Sequence, residues 1–164
     1  MQKLTQKYTI IYLFDVLPAG SEYSMKAWPL HVTLADVFAI EGNPDDLLVD
    51  LGELANSSRS FESSVTGEDW FGESSAGVHV MLIKKTDELQ QLHESVLQVL
   101  EKYNVKFNNP AYIHDGFVPH STVQNDSGLE LGSSINFDSI TLIDMFPNDN
   151  PYNRRVLGTV QFRE

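Results

Sequence analysis

Two short stretches organise this sequence: Leu-His-Val-Thr-Leu at positions 30–34 and Pro-His-Ser-Thr-Val at positions 119–123. Each sets a histidine and a threonine two residues apart in an apolar, β-branched run, which is typical of a β-strand. Because side chains at i and i+2 leave a strand on the same face, we expect His31 to point with Thr33 and His120 with Thr122. If the two strands lie side by side, their imidazoles and hydroxyls share one cleft, which suits an oxygen-rich anion such as a phosphodiester.

The rest of the sequence repeats this arrangement once in each half. A proline lies just upstream of each histidine (Pro29, Pro119), and an amphipathic helix is predicted in each half, after Asn43-Pro44 and after Thr86. We interpret the repetition as an internal duplication. It predicts an α+β fold with two pseudo-symmetric lobes, each an antiparallel sheet with an outer helix, around a central cleft.

Strands are predicted where β-branched and aromatic residues run together or alternate with polar ones. The predicted strands span 8–14, 30–34, 61–70, 78–83, 117–123, 136–144 and 155–162, with a flexible turn at 72–77 and a polar stretch at 124–128. The first of these strands follows Lys3 and Lys7, which is the order found in a signal peptide. Its apolar run is short and ends at Asp15, so a strand is favoured.

Length and charge limit the kind of protein and partner. The 164 residues fit one two-lobed domain over 1–164 with its own core. Acidic residues outnumber basic ones by 23 to 11, and the net charge of −12 opposes binding of a long nucleic acid, which needs many Lys and Arg. The sequence has no cysteine, and no run approaches the ~20 apolar residues of a membrane span. We expect a cytoplasmic monomer without disulfides, thiolate chemistry or a membrane partner.

The two His-x-Thr strands, their separation and an opening strand that ends in Leu17-Pro18 resemble the two-histidine (2H) phosphoesterase superfamily, which includes the 2′,5′ RNA ligase-like cyclic phosphodiesterases. The resemblance implies a hydrolase without metal or cofactor. Its expected substrate is a 2′,3′-cyclic phosphate or a small cyclic nucleotide phosphodiester, on a small nucleotide or an RNA end. It assigns catalysis to His31, Thr33, His120 and Thr122.

The implied division of labour is general acid–base catalysis. One neutral histidine takes a proton from water while the other, protonated, gives a proton to the leaving ribose oxygen, and an imidazole pKa of ~6.5 suits both tasks. Thr33 and Thr122 donate hydrogen bonds to the non-bridging oxygens, whose charge rises in the transition state. Which of His31 and His120 is the base and which the acid stays open from the sequence.

The sequence departs from the family pattern at one point, and three alternative functions are weighed against this interpretation. Gln124-Asn125-Asp126 follows the second motif, where many RNA-directed relatives carry a basic residue, which argues against long-RNA binding and ligase activity. One alternative is a nucleotide or RNA-end binding module without turnover, and another is a structural protein with fortuitous motifs. Metal hydrolysis is disfavoured because the histidines lack the usual ligand spacings, so no metal site is predicted.

Contacts to the rest of the substrate are predicted from position alone. Phe117 and Tyr152 are candidate base-stacking residues, as are Trp28 and Tyr112, although each also fits a core position. Arg154 and Arg155 follow Tyr152 at a loop-to-strand junction, where one of the two alternates outward and could hold a phosphate; Arg154 is the candidate. The remaining histidines are assigned to packing or loop positions outside the site: His79, His93 and His114.

Overall fold

The computed structural model describes residues 6–72, 77–124 and 128–163. Within these ranges the helices are α1 (Pro44–Asn56) and α2 (Asp87–Glu101), with short 3-10 turns at Pro110–Tyr112, His114–Gly116 and Pro147–Asp149. The strands are β1 (Tyr8–Leu13), β2 (Glu22–Ser24), β3 (His31–Ala39), β4 (Phe61–Phe71), β5 (Val78–Ile83), β6 (Lys106–Phe107), β7 (His120–Thr122), β8 (Ser134–Phe137), β9 (Ser139–Asp144) and β10 (Asn153–Gln161). Most of the turn predicted at 72–77 and of the polar stretch predicted at 124–128 lies outside the described residues.

Both helices begin where the sequence predicts, because a side chain caps each one. Asn43 Oδ1 accepts the backbone N–H of Asp45 at 2.8 Å, and Thr86 Oγ1 accepts the backbone N–H of Leu89 at 3.1 Å. These bonds satisfy N–H groups that the first turn of a helix leaves without a partner. No helix in the described part of the chain is long and apolar enough to cross a bilayer.

The strands form two antiparallel sheets. The large sheet has the order β2-β10-β9-β1-β3-β6, and the small sheet has the order β7-β5-β4-β8. Helix α1 contacts β9 and β10, α2 contacts β3, and the helices contact each other. One hydrophobic core joins residues of both helices and both sheets. The predicted α+β fold of two antiparallel lobes is therefore confirmed.

The topology brings the two motif strands together. β7 is an edge strand of the small sheet, and β3 is covered in the large sheet only by the two-residue strand β6. Because β6 pairs with β3 at Phe38 and Ala39 alone, the His31 end of β3 is free of a strand neighbour on that side. β3 and β7 contact each other there across the gap between the sheets. The two motifs therefore lie next to each other at the junction of the lobes.

Several predicted strands need correction. The single strand predicted over 136–144 is wrong: β8 pairs with β4 in the small sheet, and β9 pairs with β1 and β10 in the large one. The chain changes sheets at Asp138, and the sequence hides this because β9 is buried on both faces and reads as a continuous apolar run. β2 and β6 were missed because two or three residues are too few for an alternating pattern. β3 is longer than its motif, and β7 is shorter than predicted.

Candidate active site

The same local hydrogen bond holds both motif histidines. Nδ1 of His31 donates to the carbonyl of Pro29 at 2.8 Å, and Nδ1 of His120 donates to the carbonyl of Val118 at 2.7 Å. Each acceptor lies two residues before its histidine, so the chain itself fixes the orientation of the ring. Nε2 of each ring forms no hydrogen bond with a described residue. It is therefore the atom that can take or give a proton.

Each threonine lies on the same strand face as its histidine. The register of β3 with β1 is unbroken from His31 to Thr33, and that of β7 with β5 is unbroken from His120 to Thr122. Alternation then sends the two members of each motif to one side. Both threonines are half-buried, and neither hydroxyl bonds another described residue. The two hydroxyls are therefore available as donors to an anion.

The two histidines differ in their surroundings. His31 lies in the more buried environment, with its ring 4.7 Å from the indole of Trp28, whereas His120 meets Phe71 edge-on at 4.8 Å. Burial lowers the pKa of His31, the hydrogen bond to Pro29 partly opposes this, and the charge of His120 lowers it further. The free protein therefore favours the neutral form of His31.

Arg154 supports the wall behind His31. It is 8% exposed, its guanidinium carbon lies 5.6 Å from the ring centre of Trp28, and its Nη1 donates to the carbonyls of Met145, Pro151 and Asn153. Arg154, the candidate phosphate contact, turns inward, because the chain folds back through 151–153 and backbone carbonyls bind its guanidinium. Arg154 does not line the cleft described next.

A cleft of ≈ 650 Å³ opens beside the motifs and is lined by Thr33 and His120. The other residues that line this cleft are Leu34, Asp36, Asp69, Trp70, Phe71, Gly72, Leu82, Tyr112, Phe117 and Val118. Its size is that of a small-molecule site, and the described residues that line it include no lysine or arginine. In the described ranges, no three or more His, Cys, Asp or Glu side chains are grouped so as to hold a metal ion.

The structure places some of the candidate base-stacking residues in the cleft lining and others outside it. Phe117 and Tyr112 both line the cleft, the first only 5% exposed and the second 53% exposed. Tyr152 is 68% exposed but does not line the cleft. Trp70 and Phe71 line it and were missed, because the stretch 61–70 is polar and interrupted by glycine. The ring of Trp70 is 60% exposed and stacks on His79, which does not line the cleft.

Two carboxylates of the cleft, Asp36 and Asp69, were also missed as site residues. Strict alternation along β3 would place Asp36 on the face opposite Thr33. However, the register with β1 skips Leu34, which forms a β-bulge. One extra residue shifts the alternation by one, so Asp36 lines the cleft together with Thr33. A bulge of this kind has no signature in a single sequence.

The remaining histidines lie outside the cleft, as predicted. His93 is 1% exposed, and both of its ring nitrogens are bonded: Nδ1 donates to the carbonyl of Leu34 at 2.7 Å, and Nε2 accepts the backbone N–H of His114 at 3.0 Å. Its ring stacks on Phe117 with centroids 4.0 Å apart. His79 pairs with a glutamate and stacks on an exposed tryptophan. His93 therefore links β3 to the segment 114–117 that precedes β7.

The paired His-x-Thr strands, set on a two-lobed α+β fold, are the features that the chain shares with the 2H phosphoesterase superfamily. The model of the 2'-5' RNA ligase superfamily matches residues 12–135, which is most of the chain and includes both motifs. The chain belongs to this superfamily, and the family resemblance predicted from the motifs is confirmed. No curated protein is similar enough in sequence to count as a match.

Solved structures share the fold over nearly the whole chain. One is a phosphoesterase, 16% identical, with 97% of this chain and 99% of that chain covered and a TM-score of 0.58. A second is TT0787 of Thermus thermophilus, 15% identical, with 96% and 98% covered and a TM-score of 0.63. A third is LigT of E. coli complexed with NADP+, 16% identical, with 97% and 98% covered and a TM-score of 0.54. At these identities the similarity establishes the fold alone.

Proposed function

We propose that this protein is a metal-independent phosphodiesterase that hydrolyses a 2′,3′-cyclic phosphate or a small cyclic nucleotide phosphodiester. One observation carries the proposal: His31 and His120 are tethered in the same way, each with an unbonded Nε2 and an unbonded threonine hydroxyl on the same strand face. Two proton carriers and two neutral hydrogen-bond donors are a sufficient set for acid–base hydrolysis of a phosphodiester. The catalytic residues proposed are His31, Thr33, His120 and Thr122.

Within this proposal His31 is the base and His120 the acid, because burial favours the neutral form of His31. Nε2 of neutral His31 takes a proton from water as the water oxygen bonds to phosphorus. The bond from phosphorus to one ribose oxygen breaks, and that oxygen takes a proton from Nε2 of His120. Thr33 and Thr122 donate to the non-bridging oxygens as their charge rises. The assignment applies to a substrate whose leaving oxygen faces His120.

A small nucleotide is the substrate class that the comparisons support. LigT of E. coli has been solved in complex with 3'-AMP, with ATP and with phosphate. The net charge of −12 favours a mononucleotide or an RNA end over a long RNA, which requires many phosphate contacts. Phe117 lines the cleft and is proposed as a contact to the substrate. The same proposal includes a monomeric state and a cytoplasmic location. A reducing compartment fits a chain without cysteine, which forms no disulfide.

The experiment is turnover of 2′,3′-cyclic AMP and of a short RNA with a cyclic end, in EDTA. We expect hydrolysis by the wild type and a fall in kcat of at least ~10² in His31→Ala and in His120→Ala. His79→Phe is the matched control, because it removes an imidazole that lies outside the cleft lining and keeps a ring against Trp70, and it should keep near-wild-type turnover. Activity lost in EDTA contradicts the metal-independent mechanism. Nucleotide binding by the wild type without turnover supports the binding module instead.

A further inference from the structure

Each lobe places one carboxylate on the same sheet face as its motif threonine. On β3, the bulge described above puts Asp36 in the cleft wall with Thr33. On the small sheet, Asp69 stands opposite Val80 of β5, and Val80 stands opposite Thr122 of β7. Residues directly opposite in neighbouring antiparallel strands share a face, so Asp69 and Thr122 belong to one row across the sheet. Asp69 also lines the cleft.

No described cation balances these two carboxylates. Neither Asp36 nor Asp69 forms an ion pair with a described Lys, Arg or His, and the one side-chain hydrogen bond that either forms with a described residue is Asp69 Oδ1 accepting the backbone N–H of Trp70 at 2.8 Å. Lys85 lies near this wall, 5.9 Å from the ring centre of Phe117, but it donates to a backbone carbonyl and does not line the cleft. The cleft wall therefore holds two carboxylates without an ion-pair partner among the described residues, in the same lining as Thr33 and His120.

We propose that Asp36 and Asp69 determine specificity by restricting this cleft to nucleotides whose reacting phosphodiester is their only phosphate. The proposal rests on the proposed function and deepens it. A cyclic phosphodiester carries one negative charge, which the threonine hydroxyls and the protonated histidine accept. A terminal phosphate adds up to two more charges near pH 7. These charges would lie within reach of the carboxylates in a partly desolvated cleft, where like charges repel more strongly than in water.

The test compares two substrates that differ only in a second phosphate: 2′,3′-cyclic AMP and the same nucleotide with a 5′-phosphate. At low ionic strength the wild type should show kcat/KM at least about tenfold higher for the first. The double variant Asp36→Asn, Asp69→Asn should raise kcat/KM more for the 5′-phosphorylated substrate than for 2′,3′-cyclic AMP, so that the ratio between the two values shrinks about tenfold. Raising the salt concentration should narrow the wild-type preference.

Glu53→Gln is the matched control. Glu53 lies on α1, which packs on the face of the large sheet opposite the motif, so this variant removes one negative charge far from the cleft. Glu53→Gln should keep the wild-type ratio of kcat/KM between 2′,3′-cyclic AMP and its 5′-phosphorylated form. Equal kcat/KM for the two substrates in the wild type, or an unchanged preference in the double variant, overturns the inference. A preference for the 5′-phosphorylated substrate in Mg²⁺ overturns it too, since the carboxylates would then act through a bound metal.

Binding measurements distinguish a failure of this inference from a failure of the proposed function. Affinities of AMP and ATP are measured by calorimetry in EDTA, for the wild type and the double variant. The inference predicts weaker binding of ATP than of AMP by the wild type, and a selective gain for ATP in the double variant. If neither cyclic substrate is turned over, the proposed function fails while these binding measurements still decide the inference. Tighter binding of ATP than of AMP by the wild type overturns the inference alone.

Discussion

Replacement of His93 by leucine should destabilise the protein by roughly 2–4 kcal/mol at pH 7.5. The carbonyl of Leu34 is fully buried and accepts from His93 Nδ1 at the position where β3 bulges away from β1. Leaving it without a donor costs about 1–3 kcal/mol. The backbone N–H of His114 also loses its acceptor, but it lies nearer solvent and adds about 0.5–1.5 kcal/mol. Leucine is close to histidine in volume, so the added cavity cost is small.

The same residue makes stability depend on pH in a definite direction. Burial is the main cause that lowers the pKa of His93, so below about pH 6.5 the unfolded chain binds a proton that the folded protein does not. The free energy of unfolding of the wild type therefore falls as the pH decreases from 7.5 to 5.5. This histidine contributes at most about 1.4 kcal/mol per pH unit. His93→Leu lacks the contribution, so the stability gap between the two proteins should narrow at pH 5.5.

The assay is urea unfolding followed by far-UV circular dichroism at pH 7.5 and pH 5.5. His79→Leu serves as the control, because His79 is partly exposed and pairs with the exposed Glu68. It should change the free energy of unfolding by less than about 1 kcal/mol. A loss below about 1 kcal/mol for His93→Leu at pH 7.5 would refute the role of the two hydrogen bonds. A gap that stays constant or widens at pH 5.5 would refute the neutral state of His93.

Three further predictions follow from the site and its supports. Thr33→Val and Thr122→Val should each lower kcat by about 10²–10³ with a smaller change in KM, since a valine keeps the strand but donates no hydrogen bond. Steady-state kinetics on 2′,3′-cyclic AMP measure both constants. A rise in KM of about 10²–10³ with an unchanged kcat would contradict the prediction. The acid limb of the pH profile of kcat/KM should have its midpoint below pH 6.5, because burial lowers the pKa of His31; a midpoint above 6.5 would argue against His31 as the base. Gly116→Ala should destabilise the protein by more than about 2 kcal/mol, since a Cβ at Gly116 would clash with the backbone carbonyl oxygen of Ala111. Thermal or urea unfolding measures this loss, and an unchanged midpoint would show that the turn can shift.

The motif residues were predictable because their geometry is local. A spacing of two residues in a strand places the histidine and the threonine on the same face, whatever the rest of the chain does. The carbonyl that orients each histidine ring lies only two residues before it. The helix starts were predictable for the same reason, since Asn43 and Thr86 cap through neighbours in sequence. Structural features that depend on one short segment can therefore be predicted from a single sequence.

The rest of the site depends on relations that no local pattern contains. Asp36 reaches the cleft because a bulge at Leu34 reverses the alternation of β3, and the bulge is defined by the partner strand. The change of sheet at Asp138 depends on which strands β8 and β9 pair with. Arg154 turns inward because the chain folds back on it, so that the carbonyls of Met145, Pro151 and Asn153 accept its protons. In each case the hydrophobic pattern was compatible with two structures, and tertiary contacts selected one.

The two motifs share the same His-x-Thr pattern, yet the proposed mechanism needs their histidines to act oppositely, and the fold supplies the difference. His31 lies on the large sheet with Trp28 against its ring and Arg154 behind the indole, so its cationic form is poorly hydrated. His120 lies on an edge strand of the small sheet and lines the open cleft. A duplicated strand therefore yields one imidazole biased toward the neutral form without a change in the motif itself. Because the bias arises from the wall behind His31, replacing Trp28 by a small polar residue should raise the pKa of His31 toward its ordinary value, an effect that NMR titration of the imidazole can detect in the absence of any substrate.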